Sequence, residues 1–352
     1  MTLPTAFDPI TWHTHEMLFG FIAATVAGFL LTAIPNWTGR LPLQGLPLLF
    51  LVTLWIAGRI GVAISAMIGA PLAAIVDLAF LASFAAVILR EIVAGRNWRN
   101  LPVVAAVFLL FVCNALSHAA LLGYVDDGIV RRAAIAVIIA LISLIGGRIV
   151  PSFTRNWLAK RNAGALPAGF GRFDQIALGM TVLTLISWAT APFAITTGLL
   201  CALTALLNVL RLARWRGQAT LTEPLVWILH LGFLWIPIGF GLIAASIAFE
   251  AVPQTGAIHA LTAGAMGTMI LAVMSRATLG HTGRLLIAGP SLVAAYAFIT
   301  IAALARVIAP AIPTLYTPLL LIGAMSWIAA FLFFLIVCGP MLVSQRRKGS
   351  LG

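Results

Sequence analysis

Eleven stretches of apolar residues follow one another along the chain, over residues 17–35, 45–66, 71–90, 102–123, 129–150, 174–191, 193–213, 223–249, 258–279, 287–308 and 315–343. A helix needs about 20 apolar residues to cross the hydrocarbon core of a bilayer. None of the stretches shows the two-residue alternation of a strand. Backbone in lipid must satisfy its own hydrogen bonds, so each stretch is predicted to be a helix. The connections are short and rich in Gly, Pro and Arg. The pattern predicts an all-α polytopic integral membrane protein of about 11 transmembrane helices, forming a single transmembrane domain over residues 1–352. The polar start runs straight into a full-length span, so no cleavable leader is expected.

Composition agrees. The chain is 62% hydrophobic and 9% charged, whereas a soluble domain carries roughly 25% charged residues. The lipid bilayer is therefore its principal partner. A net charge of +12 would suggest nucleic acid in a soluble protein, but here the position of the charges matters more, and no nucleic-acid partner is expected. With the N-terminus outside and the loops alternating, Arg40, Arg90, Arg96, Arg99, Arg148, Arg155, Lys160, Arg161, Arg172, Arg211, Arg214, Arg216, Arg276, Arg284, Arg346, Arg347 and Lys348 fall on one side. That is 17 of the 21 basic residues, and it makes this side, with the C-terminus, cytoplasmic. The opposite side carries Asp8, Glu16, Asp126, Asp127 and Glu250. Trp37, Trp98, Trp157 and Trp215 stand near helix ends, as interfacial anchors do.

A sparse internal repeat accompanies this topology. Setting His15 on His259, an offset of 244, aligns Gly20 with Gly264, Ala33 with Ala277, and Thr38-Gly39-Arg40-Leu41 with Thr282-Gly283-Arg284-Leu285. Both helices run from outside to inside, so the relation is a parallel repeat, with duplication and convergence on a similar helix end both open.

Ionisable groups inside a membrane are costly and so are functional candidates. Arg59 and Asp77 lie at equal distance either side of the turn near Ile68, which places them at one depth on neighbouring antiparallel helices. An ion pair that hides both charges from lipid is the ordinary reading, and anchoring of a cofactor carboxylate by Arg59 is the functional one. Of the six histidines, topology puts His13, His15, His118 and His259 at the outer face, while His230 and His281 lie toward the inner one. Imidazole is the commonest metal ligand, so four at one face make His13, His15, His118 and His259, with Glu16 beside them, the candidate metal set. His13 and His15 point to nearly opposite sides if the segment is helical. His230 and His281 form a candidate second site. Met17, Met266, Met269 and Met274 lie on the same two helices as His15 and His259; thioethers suit Cu(I), although packing is their ordinary role. Cys113, Cys201 and Cys338 sit in apolar runs with no CxxC, which argues against zinc and against covalently attached haem. Gly146-Gly147-Arg148 and the glycine-rich stretch 163–171 lack the Lys-Ser or Lys-Thr of a phosphate loop. The basic loop 148–172 reads as a solvated inner loop.

Several motifs together resemble one family. They are Trp12-His13-Thr14-His15-Glu16-Met17-Leu18-Phe19-Gly20, Pro35-Asn36-Trp37-Thr38-Gly39, the run from Gly146 to Trp157, Glu223-Pro224-Leu225-Val226-Trp227-Ile228-Leu229-His230, and the long run from His259 to Arg284. This sequence resembles the NnrS family of bacterial haem- and copper-containing membrane proteins. The resemblance implies an inner-membrane protein linked to nitric oxide metabolism, nitrosative stress and denitrification, with haem b, and copper as a second cofactor, bound noncovalently. Family members usually have one more span ahead of the Trp-His-Thr-His-Glu segment, for twelve in all.

Three functional classes stay open on this reading. One is a redox-cofactor protein that binds or turns over nitric oxide at a histidine-ligated site, with His13, His15, His118, His259, His230, His281 and Arg59 as cofactor-binding candidates and an electron donor that the sequence leaves unnamed. The second is a secondary transporter using Arg59 and Asp77. The third is a haem-based sensor without turnover.

Overall fold

The computed structural model describes residues 3–345, so Arg346, Arg347, Lys348 and the C-terminal Gly352 lie outside the described residues. Eleven helices are long and apolar enough to cross a membrane: α1 Pro9–Thr38, α2 Leu46–Ala63, α3 Ala70–Ala94, α4 Leu101–Leu121, α5 Asp127–Ala159, α6 Arg172–Thr190, α7 Ile195–Ala213, α8 Pro224–Ala248, α9 Gln254–His281, α10 Pro290–Ile308 and α11 Tyr316–Val343. Among the described residues there is no strand. The all-α polytopic architecture is as the apolar pattern required. On α11, Leu321, Met325, Ile328, Leu332 and Leu335 are each more than half exposed. They recur every three or four residues down one face, as they must where the surrounding solvent is lipid.

The helix ends follow local rules. Asp8 caps α1, its carboxylate accepting from the backbone amides of Ile10 and Thr11, with Pro9 at the first helical position. α1 therefore starts eight residues ahead of its apolar run. α5 continues through Pro151 to Ala159, beyond the apolar stretch 129–150. Gly39 ends α1 in the left-handed region at φ 70°, where a glycine carries no Cβ penalty.

Two departures from regular α-helix stand in α1 and α9. Residues Glu16–Ile22 form a π-helical segment inside α1, and residues Ala260–Gly267 form one inside α9. Each begins immediately after the histidine of the internal repeat, His15 in one and His259 in the other. A π segment accommodates an extra residue in the turn, and such segments are frequent at functional sites. The repeat seen in a handful of residues is thus also a repeat of backbone irregularity in the same register, which favours duplication over convergence at one helix end.

The chain divides into two compact units, residues Met1–Ile138 and Ile139–Gly352. In the first, α2 and α3 form a hairpin, α3 also packs on α4, and α1 packs on α3. The N-terminal segment is tied to the α2–α3 turn: Ala6 N–H donates to Ser65 Oγ at 2.9 Å and Ala66 N–H donates to the Pro4 carbonyl at 3.0 Å. In the second unit α7 packs on α8, α8 on α9, α9 on α10 and α10 on α11. Its interior holds a fully buried ion pair, Arg211 Nε to Asp174 Oδ1 at 3.0 Å, with Arg211 Nη1 also donating to the Ser143 carbonyl at 3.2 Å. Arg211, which sequence places among the inner-side basic residues, is therefore an interior group whose charge is met by one carboxylate. Gly147 makes room for it: a Cβ there would stand 2.0 Å from a guanidinium nitrogen.

Candidate metal centre

In the first unit, α1, α3 and α4 each deliver one titratable side chain to a common point. His15 comes from α1, Asp77 from α3 and His118 from α4, all at least 96% buried. Asp77 lies between the two imidazoles. His118 Nε2 is 3.0 Å from Asp77 Oδ2, and His15 Nε2 is 3.4 Å from the same oxygen. Asn114, one turn before His118 on α4, bridges them: its amide donates to Asp77 Oδ2 at 2.9 Å and its carbonyl oxygen is 3.1 Å from His15 Nε2. The imidazole rings stand 5.1 Å apart and nearly perpendicular, at 70°. Phe7 lies against both, at 5.0 Å from His15 and 5.8 Å from His118, and seals them on one side.

The second carboxylate oxygen of Asp77 accepts from Arg59 Nη2, and Arg59 Nη1 reaches Glu16. The Arg59–Asp77 pair expected from their equal depth is present, and it extends into a network of two carboxylates and one guanidinium. Two glycines make the approach possible. A Cβ on Gly58 would stand 3.0 Å from Asp77 Oδ1 and 3.2 Å from its Cα, and one on Gly20 would stand 2.8 Å from Arg59 Nη1.

The proton inventory of the cluster is informative. Both Nε2 atoms face acceptors, so in the neutral imidazoles the proton sits on Nε2. The Nδ1 atoms of His15 and His118 are buried without a hydrogen-bond partner, and that of His15 stands 3.6 Å from the Glu16 carboxylate. His15 lies between two carboxylates, with Nε2 3.4 Å from Asp77 and Nδ1 3.6 Å from Glu16. Arg59 meets one of the two negative charges, and the imidazoles are placed to hold the second positive charge, as a proton or as a metal ion.

The donor geometry suits an ion. One ligand atom from each of His15, Asp77 and His118 can be chosen so that all lie within 4.8 Å of one another. Ligands at about 2.0–2.2 Å from a tetrahedral metal stand about 3.3 Å apart, against the 3.0 and 3.4 Å found between the imidazole Nε2 atoms and Asp77, atoms that would bind an ion in place of their protons. Two imidazoles and a carboxylate suit copper, zinc or iron. They do not suit haem, because the two histidines meet on one carboxylate oxygen and leave no slot between them for a macrocycle.

The other sequence candidates lie elsewhere. His13 is exposed on α1 while His15 is buried, as the helical turn between them requires. Glu16 is in reach of the cluster through Arg59, and its Oε1 is 3.6 Å from His15 Nδ1. His259 belongs to the second unit, where Arg306 faces it. His230 is buried beside Trp215, with Nε2 2.8 Å from Thr154 Oγ1. His281 is exposed at the end of α9. Met266 and Met269 are buried, and Met269 fits against Gly146 and Gly232 as packing. Asn114 was not a sequence candidate; its place one turn before His118, on the same face of an apolar helix, was the available signal.

Together these features define a polytopic helical membrane protein whose first unit encloses a histidine–carboxylate cluster. The family model described as NnrS protein matches residues 1–346, and the chain belongs to that family. No curated protein and no solved structure matches it.

Proposed function

We propose that the first unit is a membrane-embedded copper centre, with His15, His118 and Asp77 as its ligands, serving nitric oxide chemistry in the bacterial inner membrane. The observation that carries this reading is the pair of buried imidazoles converging on one oxygen of a buried carboxylate. Family membership supports the nitric oxide link. Copper would supply a redox-active ion able to bind a diatomic gas, and the apolar bilayer concentrates such a neutral gas around it. The protein's own residues do the rest. Asn114 orients His15 and Asp77, Arg59 holds the second oxygen of Asp77, and Phe7 excludes water. Haem b, the other cofactor that the family resemblance implies, has no slot between His15 and His118, and no step here runs through it.

Metal content of the purified full-length protein tests the proposal. Wild type is expected to carry about one copper per chain, and His118→Ala and Asp77→Asn to lose it while still inserting in the membrane. Equal metal content in all three would overturn the assignment. A folded wild type that takes up no metal would leave a proton as the balancing charge, which is the transporter reading of Arg59 and Asp77.

A further inference from the structure

The internal repeat sets a second group of side chains in the second unit beside the first group for comparison. In both, a histidine stands immediately before a π segment, at His15 ahead of Glu16–Ile22 and at His259 ahead of Ala260–Gly267. In both, an arginine from the next helix of the same unit reaches back to that point, Arg59 of α2 in the first and Arg306 of α10 in the second. The charges differ. Arg59 is met by Glu16 and Asp77. In the second unit the residue at the Glu16 position is Ala260, and among the described residues no carboxylate pairs with Arg306.

Arg306 is instead held by neutral groups. Its Nη2 is 2.5 Å from His259 Nε2. The other ring nitrogen, Nδ1, is 2.7 Å from the Thr255 carbonyl and donates to it. That leaves Nε2 as an acceptor, so the imidazole is neutral and adds no negative charge. The aliphatic stem of Arg306 lies over Gly323 of α11, where a Cβ would stand 3.2 Å from its Cγ and Cδ. α9 and α10 approach closely beneath it, since a Cβ on Gly256 would stand 2.8 Å from the Val307 carbonyl. The guanidinium is therefore fixed in place and half-buried, and among the described residues only His259 meets its donor fork. It lies in the last turn of α10, at the membrane border where headgroup phosphates are found.

From this we propose that Arg306, positioned by His259, binds a phosphate group. The second unit would then hold an anion at the point where the first sets two carboxylates of its own against its arginine. A guanidinium fork matches a phosphate in two parallel hydrogen bonds. The group belongs either to a phospholipid headgroup at the membrane border or to free phosphate. The proposal does not depend on metal in the first unit, and it can fail or hold independently of that reading.

The test uses full-length wild type, Arg306→Gln and Arg306→Lys purified in neutral detergent. In one arm, delipidated protein is titrated with inorganic phosphate and followed by thermal unfolding. In the other, native mass spectrometry counts phospholipid retained after gentle extraction. Wild type is expected to show saturable stabilisation by phosphate or one tightly held phospholipid, at least tenfold weakened or lost in Arg306→Gln. A response to free phosphate identifies the ion as the source, and retention without that response identifies the headgroup. Arg306→Lys keeps the charge needed for insertion but not the fork, and is expected to bind several-fold more weakly. Binding indistinguishable from wild type in both arms, in Arg306→Gln or, if that variant does not insert, in Arg306→Lys, would overturn the proposal.

Discussion

Both oxygens of Asp77 are engaged, Oδ1 by Arg59 and Oδ2 by Asn114 and His118. The Asp77 side chain is 1% exposed, against 16% for Arg59. Replacing it by asparagine would leave the guanidinium with Glu16 alone and turn one acceptor oxygen into a donor that faces other donors. Removing one member of a buried pair costs about 3–5 kcal/mol when the remaining charge is left without a partner. Glu16 still meets Arg59 and partial exposure of the guanidinium lets water offset more, so Asp77→Asn is expected at the lower end. His118→Gln, which removes a neutral partner, is expected to cost about 1–3 kcal/mol. Thermal unfolding of the metal-stripped proteins ranks the two, and the reverse order would mean that Asp77 is not the keystone of the network. Arg59 and Asp77 were legible in sequence because a hairpin fixes depth. That His118 shares the carboxylate was not legible, because the rotation of α4 about its axis is set by packing in three dimensions, and an apolar helix carries no polar face to reveal it.

At the scale of elements, glycines and π segments decide how close the helices come and which way they face. α2 meets α3 at Gly58, where a methyl would press on both the Asp77 carboxylate and its backbone. Gly58→Ala is expected to destabilise by about 1–3 kcal/mol, the usual cost of overpacking, whereas Gly28→Ala, with nothing within 4 Å of the added carbon, should be neutral or slightly stabilising. Equal thermal stability of the two variants would remove the close-approach argument. The π segment in α1 has a stronger consequence. Deleting Leu18 from Glu16–Ile22 would restore regular α-helix and rotate everything before it by about 100° relative to the rest of the span. His15 would leave the cluster while the span remained long enough to insert. The expected result is a membrane-inserted protein without bound copper, and retention of wild-type metal content would show that the bulge does not aim His15. Span positions were legible because hydropathy needs no partner. The π segments were not: Glu16–Ile22 and Ala260–Gly267 read as ordinary apolar helix, and only the repeat of His15 in His259 marked the place.

For the whole molecule, the distribution of charge gives an orientation that the packing alone cannot. Where each of the eleven candidate spans crosses the bilayer once, α1 to α11 alternate in direction and one measurement of sidedness fixes every loop. Arg131 pairs with Asp127 at 3.1 Å one turn along α5, so two of the four basic residues that fall outside the majority group, Arg131 and Arg132, stand beside Asp126 and Asp127 and carry little net charge there. Arg59 is likewise neutralised within the bundle by Asp77 and Glu16. Arg306 is the remaining exception, and the phosphate site proposed for it would account for an arginine on that side. Interior pairing also takes Arg211 out of the inner-side count, since Asp174 meets its charge. Arg40, Arg90, Arg96, Arg99, Arg155, Lys160 and Arg161 still lie at that side, and they outweigh its acidic residues, of which Glu91 is bound by Arg40 and Arg90. The excess is what holds loops in the cytoplasm during insertion. Reporter fusions are therefore expected to place the chain after Asp127 in the periplasm and Gly352 in the cytoplasm. A periplasmic signal at Gly352 would invert the orientation and put the His15–Asp77–His118 cluster at the cytoplasmic border. The proposed copper would then have to be loaded from the cytoplasm, and the proposed Arg306 site would face inner-leaflet headgroups.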